Sequence, residues 1–478
     1  MNSRRGMPVW WRRPGRVIVL LGAVLLVWVV WRLLLVLTAE PGRSVDYAEA
    51  IETLRDQMSP RPQGVTFNAW KALDDLRARQ VELDGDFWSQ FQGNEEDFQW
   101  GGAVPESWVD GEPVFDPRIT WMLERMDEVD EWSAISRIAQ SPWGRGASIE
   151  GVLMDHVQPN LGCVRQLSEL LRARALQHHA RGEDLQAVAR LADVLGLARL
   201  GRQQPYLVAQ LVAAAVEGTA LRDFRTMLAT SDLLPEVCDA MARAMDQHAG
   251  PADVAYAIEC ERLCVLQFVQ SVYTDDGDGD GAFLYYEFLQ SGFGAIDGIR
   301  QDWFLGDTRI TNFMHRDQPG KAVAVDAVNT WFDGLRAQAV RRPGDRGLPL
   351  DALTEAQQDV VRSSFAVGYL VDDSPRWLGL CDINDTLRRG TRLMIAIEHH
   401  IAGTGAPPTN LEALVPDDID ALPEDPFGSG GFRYRVEGAS YRLWSPGPDL
   451  EDDGGVGNDR RPGEEDIVLH PPAAPASE

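Results

Sequence analysis

The chain carries an almost wholly apolar run, Val17–Leu37, in which Arg32 is the one charged residue. A helix needs about 20 such residues to cross a bilayer core, whereas the core of a signal peptide has roughly 7–15. We therefore predict an uncleaved transmembrane helix at residues 17–39, with a cleaved signal peptide as the alternative. Such a helix takes these residues out of any globular core and confines the rest of the chain to one side of a membrane.

The charges on the two sides of this run differ in sign. Five arginines precede it and no acidic residue occurs before Glu40, whereas Asp46, Glu49 and Glu52 follow closely. Positively charged flanks stay in the cytoplasm. We expect residues 1–16 to be a cytoplasmic basic tail of a single-pass protein of the cytoplasmic (inner) membrane, with the bulk of the chain extracytoplasmic or periplasmic.

The chain after the apolar run is strongly acidic. Six of the 45 basic residues and none of the 73 acidic residues precede Glu40, so residues 40–478 carry 39 basic residues and a formal net charge of −34. A surface of this sign repels the phosphates of nucleic acids. Nucleic acid is therefore excluded as a partner, while the membrane, cations and other proteins remain.

Residues 40–380 show mainly helical periodicity. The segment 40–64, closed by Pro60 and Pro62, predicts a juxtamembrane helix, and 211–228 and 253–273 predict further helices. The clearest pattern is a helical hairpin around Gly182. Its two apolar stripes are Val164, Leu167, Leu170, Leu171 and Ala175, then Leu185, Val188, Leu191, Ala192, Leu195 and Ala198. The hairpin is weakly like a tetratricopeptide repeat, but no sustained 34-residue period follows.

Residues 276–287 match the EF-hand calcium loop. Carboxylates stand at positions 1, 3, 5 and 12, Gly281 stands at position 6, and a backbone carbonyl is expected to bind from position 7. Ca²⁺ takes 6–8 oxygen ligands, which this spacing supplies. The predicted ligands are Asp276, Asp278, Asp280, Ala282 and Glu287. The alternatives are an acidic, glycine-rich turn that binds no metal and a single loop of this kind on a scaffold other than an EF-hand.

The cysteines and histidines give no comparable pattern. Cys260 and Cys264 are spaced for one helix face, but no further cysteine or histidine pair completes a zinc set, so we predict packing roles for them. Neighbouring residues on a helix point about 100° apart. The pairs His178-His179 and His399-His400 are therefore predicted to be solvated or capping residues.

The end of the chain has a distinct order of motifs. A helical stripe from Leu387 to Ile401 leads to the sequence Leu-Glu-Ala-Leu-Val-Pro at 411–416 and to Asp-Pro-Phe-Gly at 425–428. Alternating apolar residues then predict two strands on either side of Gly438. Ser-Pro-Gly-Pro-Asp at 445–449, an acidic run and Asp466-Ile467 complete the segment.

This order resembles the C-terminal domain of the major (G-type) pseudopilin of type II secretion systems. The resemblance covers about 85 residues and implies a small α+β domain at 385–470, followed by a disordered tail at 471–478. In that family the loop before the last strand binds Ca²⁺. Carried over to matching positions, the resemblance implies Asp449, Asp453 and Asp466 as metal ligands. The alternative is a solvated acidic loop.

The chain also departs from that family, because the apolar run lacks a pilin-type leader and a long helical segment separates it from the pseudopilin-like domain. The layout resembles large bacterial membrane-anchored proteins that end in such a module. The sequence therefore favours a non-enzymatic, calcium-stabilised envelope scaffold with protein partners. The alternatives are an extracytoplasmic hydrolase with an unrecognised site and a component of a secretion pseudopilus.

Overall fold

The computed structural model describes residues 41–42, 45–90, 107–109, 112–129, 131–146, 159–275, 283–284, 319–346, 376–457 and 465–470, with Leu26, Val27, Val30, Pro105 and Gly281 as single residues. This part of the chain is mainly helical and carries a small antiparallel sheet near its end. The mainly helical fold class predicted from the sequence is confirmed at this level.

The helices are named here in chain order. They are α1 (Tyr47–Met58), α2 (Ala69–Gln90), α3 (Pro117–Glu128), α4 (Glu131–Ala139), α5 (Pro159–Ala180), α6 (Asp184–Arg202), α7 (Leu207–Thr230), α8 (Pro235–His248), α9 (Val254–Ser271), α10 (Lys321–Ala339) and α11 (Arg376–Thr404). The strands are β1 (Ser107–Val109), β2 (Glu112–Val114), β3 (Arg433–Glu437), β4 (Ser440–Ser445) and β5 (Ile467–His470), and β1 and β2 form a hairpin of their own.

The predicted hairpin consists of α5 and α6. Gly182 makes the turn in the left-handed region, at φ +72°, which glycine adopts without steric cost. The predicted stripes are buried except at two positions: Ala192 is partly buried, and Leu185 is 46% exposed. It lies in the first turn of α6, where the helix has only begun to approach its neighbours, so its assignment to the apolar stripe was wrong.

One hydrophobic cluster joins the middle of the chain to its end. Helix α7 packs on α6, and α11 packs on both α7 and α8. Leu191 of α6, Phe224 of α7, Ile397 of α11 and Leu469 of β5 all belong to this cluster and are fully buried. Because these residues share one core, the C-terminal segment is built onto the helical body.

A second cluster lies between α9, α10 and the start of α11. Phe268 of α9, Phe332 of α10 and Trp377 of α11 are among its buried residues. Helix α11 thus contributes to both clusters with different parts of its 29 residues. It also runs across residue 385, where the sequence predicted the start of a separate domain.

The C-terminal sheet has the order β3-β4-β5 and is antiparallel throughout. The first two strands lie where alternation predicted them, with Gly438 in the connecting turn at φ +69°. The sheet approaches α11 closely, since a Cβ added to Gly390 would lie 2.3 Å from Leu469 Cδ1. Tyr441 of β4 also donates a hydrogen bond from its hydroxyl to Glu398 of α11, at 2.8 Å.

The search for a membrane-spanning helix covers only the described residues. None of their helices is both long and apolar enough to cross a bilayer. The predicted span at 17–39 lies outside them apart from Leu26, Val27 and Val30, which are helical and expose 65%, 68% and 48% of their surface. The predicted tails at 1–16 and 471–478 also lie outside the described residues.

Candidate calcium-binding loops

The five predicted ligands of the EF-hand-like loop, Asp276, Asp278, Asp280, Ala282 and Glu287, lie outside the described residues. The flanks of the loop are described, and they are held together by backbone contacts. Tyr273 and Phe283 form an antiparallel bridge, and Leu284 donates its N–H to Val272 O at 2.7 Å. The two rings pack edge to face, with centroids 5.3 Å apart.

Gly281 stands at the position where the sequence predicted a sharp turn. A Cβ there would lie 1.6 Å from the carbonyl oxygen of Thr274, so no other residue fits without moving the backbone. The Gly281 carbonyl accepts a hydrogen bond from the backbone N–H of Lys321, at 3.0 Å. The loop is therefore closed at its base by α10 as well as by its own flanks.

The helix before the loop ends earlier than the sequence suggested. Helix α9 stops at Ser271, and residues 272–275 lead from it to Asp276. An EF-hand places its loop directly between two helices. Here the chain forms the Tyr273–Phe283 bridge instead, so the described flanks make a closed loop on a different scaffold.

The three acids that the pseudopilin resemblance implied differ in environment. Asp466 is fully buried at the start of β5, and its Oδ2 accepts a hydrogen bond from Gly455 N–H at 2.7 Å. Among the described residues, its Oδ1 has no hydrogen-bond partner. Burial raises the pKa of this carboxyl, and the nearby charges of Asp452 and Asp453 raise it further, against the backbone N–H groups of Gly455 and Asp453.

Asp449 and Asp453 do not join Asp466 around a common point. Asp449 Oδ1 accepts the N–H of Glu451 at 3.1 Å and so shapes its own turn, while Asp453 is exposed. Within the described ranges no group of three His, Cys, Asp or Glu side chains is arranged to hold a metal ion. Of the implied ligands, Asp466 alone has a buried oxygen that lacks a partner.

Two further acids organise the C-terminal module, and the sequence reasoning assigned them no role. Asp425 of the Asp-Pro-Phe-Gly motif is fully buried and accepts hydrogen bonds from Ser445 Oγ at 2.8 Å and Phe427 N–H at 3.1 Å, while its Oδ2 has no partner. Burial raises its pKa. Asp452 accepts from Trp444 Nε1 at 2.9 Å and from Arg433 Nε at 3.1 Å, which fastens the acidic run to β3 and β4.

The histidine pairs are engaged by carboxylates. His399 and His400 both reach Asp418, with Nδ1 to oxygen distances of 2.7 and 3.0 Å. His178 and His179 contact Glu183 and Asp184 across the Gly182 turn, each at 2.6 Å. Adjacent histidines on α11 therefore converge on one acceptor, because a loop residue on the flank of the helix can bridge both side chains.

All five cysteines are buried and free. Burial raises the pKa of the Cys163, Cys238 and Cys381 thiols to about 12, and it also raises the pKa values of Cys260 and Cys264. A thiol reacts through its thiolate. Four of these side chains, Cys163, Cys238, Cys264 and Cys381, belong to the hydrophobic clusters, and Cys260 is buried on the same helix as Cys264.

Comparisons of the chain with protein-family models, with curated protein sequences and with solved structures find no match. The resemblance of the C-terminal module to pseudopilins thus rests on its motifs, and the function has to be argued from the residues themselves.

Proposed function

We propose that this protein is a membrane-anchored, extracytoplasmic scaffold that holds a calcium-stabilised, pseudopilin-like module on a rigid helical body. The observation that carries the proposal is the double role of α11. This helix packs on α7 and α8 of the body and also supports β4 and β5. A module mounted in this way keeps a fixed orientation relative to the body, which suits the presentation of a surface to protein partners.

The calcium part of the proposal is supported by Asp466. A buried carboxylate oxygen without a partner is costly, and a divalent cation removes that cost by coordinating the oxygen. Ca²⁺ suits such a loop because it accepts carboxylate, backbone and water oxygens in a flexible geometry. The negative charges of Asp452 and Asp453 further favour a cation near Asp466.

The location of the protein is supported by its sequence and by three described residues of the apolar run. Leu26, Val27 and Val30 are helical, and their side chains are exposed. Apolar residues exposed on a helix are compatible with contact to lipid. The excess of arginines before the run favours a cytoplasmic N-terminus and an extracytoplasmic body.

The calcium proposal is tested by thermal unfolding of the full-length protein in detergent, with and without Ca²⁺. A ligand that binds only the folded state stabilises it, by about 2.7 kcal/mol at a concentration of 100 Kd. We expect Ca²⁺ to raise the Tm of the wild type. In Asp466→Asn the rise should be lost or reduced to what the 276–287 loop contributes.

The matched control is Asp420→Asn, which makes the same chemical change at an exposed acid. This variant should keep the full calcium response. An Asp466→Asn variant with the same response as the wild type would show that Asp466 binds no calcium. A reporter fused after Glu478 tests the location separately, and activity in the cytoplasm would contradict it.

A further inference from the structure

We infer that the helical body sits directly on the bilayer surface, with the C-terminal end of α9 and the N-terminal end of α10 facing the lipid headgroups. The inference rests on the proposed anchor at residues 17–39 and adds an orientation to it. It follows from the way in which the chain just after the anchor is fastened to the body.

Both the N–H and the carbonyl group of Gly42 form hydrogen bonds to the helical body. Its N–H donates to Tyr273 O at 3.0 Å, and its carbonyl accepts a hydrogen bond from Lys321 Nζ at 3.1 Å. Lys321 is only 7% exposed, and its Nζ lies 3.5 Å from Asp275 Oδ2. A buried ammonium group with these partners fixes Gly42 against both α10 and the segment after α9.

A second fastening follows three residues later. Val45 donates its N–H to Gln270 Oε1 and accepts a hydrogen bond from Gln270 Nε2, each at 2.9 Å. The side-chain amide of Gln270 thereby forms two hydrogen bonds to the backbone of Val45, as the backbone of a neighbouring strand would. Two independent contacts thus hold the segment that leads from the anchor into α1.

The fit around Gly42 is tight. A Cβ at this position would lie 2.1 Å from Asp275 Cβ and 2.6 Å from its backbone nitrogen. Only glycine allows the two backbones to approach so closely without a shift. The contact therefore belongs to the packed structure of the body and does not depend on a surface side chain.

The distance from the membrane follows from the length of chain that remains. The predicted anchor ends at Ala39, and Glu40 and Pro41 alone separate it from Gly42. Three residue steps span at most about 10 Å when fully extended. Gly42, Tyr273 and Lys321 must therefore lie within about this distance of the end of the anchor, which is too short for the body to swing freely.

A position at the opposite end of the body can serve as the reference for a measurement of distance to the membrane. Helix α7 contacts α9, and Leu207, the first residue of α7, packs against the cluster that α9 and α10 form. At the other end of α7, Ser231 lies 3.2 Å from His179, next to the turn between α5 and α6. A helix of 24 residues is about 36 Å long. The turn before Leu185 is therefore distant from α9.

The test uses single surface cysteines in the full-length protein. All five native cysteines are buried, so a thiol-reactive fluorophore will label an introduced cysteine selectively. Val323→Cys places the label in the first turn of α10, and Leu185→Cys places it in the first turn of α6. These positions are matched, since the native residues are 45% and 46% exposed. Each protein is placed in phosphatidylcholine nanodiscs that contain a headgroup spin-labelled lipid as quencher.

We expect the label at position 323 to be quenched at least about twofold more than the label at 185, because the short connection holds α10 at the surface. A Gly/Ser linker of about twelve residues inserted between Ala39 and Glu40 adds roughly 20 Å of reach. It should remove most of this difference while leaving the fold unchanged. Equal quenching at the two positions without the linker would overturn the orientation.

Extraction of the membranes distinguishes a failure of the proposed anchor from a failure of the proposed orientation. If alkaline carbonate releases the unmodified protein from membranes, the proposed transmembrane helix is wrong and the orientation falls with it. If the protein stays in the membrane but the label at 323 is not preferentially quenched, the anchor stands and the orientation alone is wrong.

Discussion

Helices α5–α8 and the C-terminal module at 385–470 differ in the hydrogen-bond partners of their buried carboxylates. Within α5–α8, two buried carboxylates have arginine partners: Arg172 forms two hydrogen bonds to Asp223, at 2.6 and 3.0 Å, and Arg202 pairs with Glu217. In the module, Asp425 and Asp466 are fully buried, and one oxygen of each has no hydrogen-bond partner among the described residues.

This difference indicates which part of the protein should respond to pH and to calcium. A buried acid that lacks a partner is stabilised by a proton or a cation, whereas a paired one needs neither. Helices α5–α8 should therefore depend on apolar packing and be indifferent to calcium. The module should depend on its contact with α11 and on the state of its two carboxyl groups.

The largest effect is expected in the packed core of the body. Leu191→Ala removes a fully buried side chain of α6 and should lower the free energy of unfolding by about 2–5 kcal/mol. Leu185→Ala in the same helix should cost less than about 0.5 kcal/mol, because Leu185 is exposed. Denaturant unfolding measures both. A loss in Leu191→Ala that depends on Ca²⁺ would contradict the proposed division.

The next effect concerns the contact between α11 and β5. Gly390→Ala places a methyl group 2.3 Å from Leu469 Cδ1, and the resulting strain should cost about 1–3 kcal/mol. The control is Gly379→Ala in the same helix, where nothing lies within 4 Å of the added Cβ. That change should stabilise the protein by up to about 1 kcal/mol through helix propensity. Equal effects of the two changes would mean that β5 is not tightly packed against α11 at Gly390.

A smaller effect is expected inside the module. Ser445→Ala removes the hydroxyl that donates to Asp425 and should cost about 1 kcal/mol. Ser429→Ala, at an exposed position in the loop before β3, serves as the control and should be close to neutral. Both are measured by thermal unfolding at neutral pH. If Ser445→Ala is also neutral, the buried carboxyl does not need its partner.

The last effect is a pH dependence within the helical part. Burial raises the pKa of Glu261 to about 7, above the ordinary value of about 4.3. The folded state then binds more protons than the unfolded state between these two pH values, so stability falls as the pH rises through this window. In Glu261→Gln that decline should be smaller. Tm values measured from about pH 4 to pH 8 decide this, and identical slopes would exclude Glu261 as the source.

Much of the fold was accessible from local patterns in the sequence. The turn at Gly182 and the strands on either side of Gly438 lie where they were predicted, because glycine and residue alternation act over a few neighbours. The same reasoning missed α8 and α10. It also placed Leu185 in the core, because periodicity alone does not show where a helix meets its neighbours.

The candidate site was only partly accessible. The sequence named Asp466 through a resemblance of motifs, but it gave no sign that Asp425 is equally buried. It also did not show that Asp449 accepts a hydrogen bond within its own turn or that Asp453 is exposed. Burial of a carboxylate depends on what covers it. For Asp466 the nearby groups include the loop around Gly455, eleven positions away in the sequence.

The sequence by itself determined the charge asymmetry, the apolar run, the helical hairpin and the order of strands, since each follows from composition or from residues close together in the chain. Tertiary structure decided which groups meet. Gly42 and Lys321 are 279 positions apart, yet one hydrogen bond joins them beside Asp275. Such a contact depends on the packing of α9, α10 and the segment before α1 at the same time, and no local pattern encodes it.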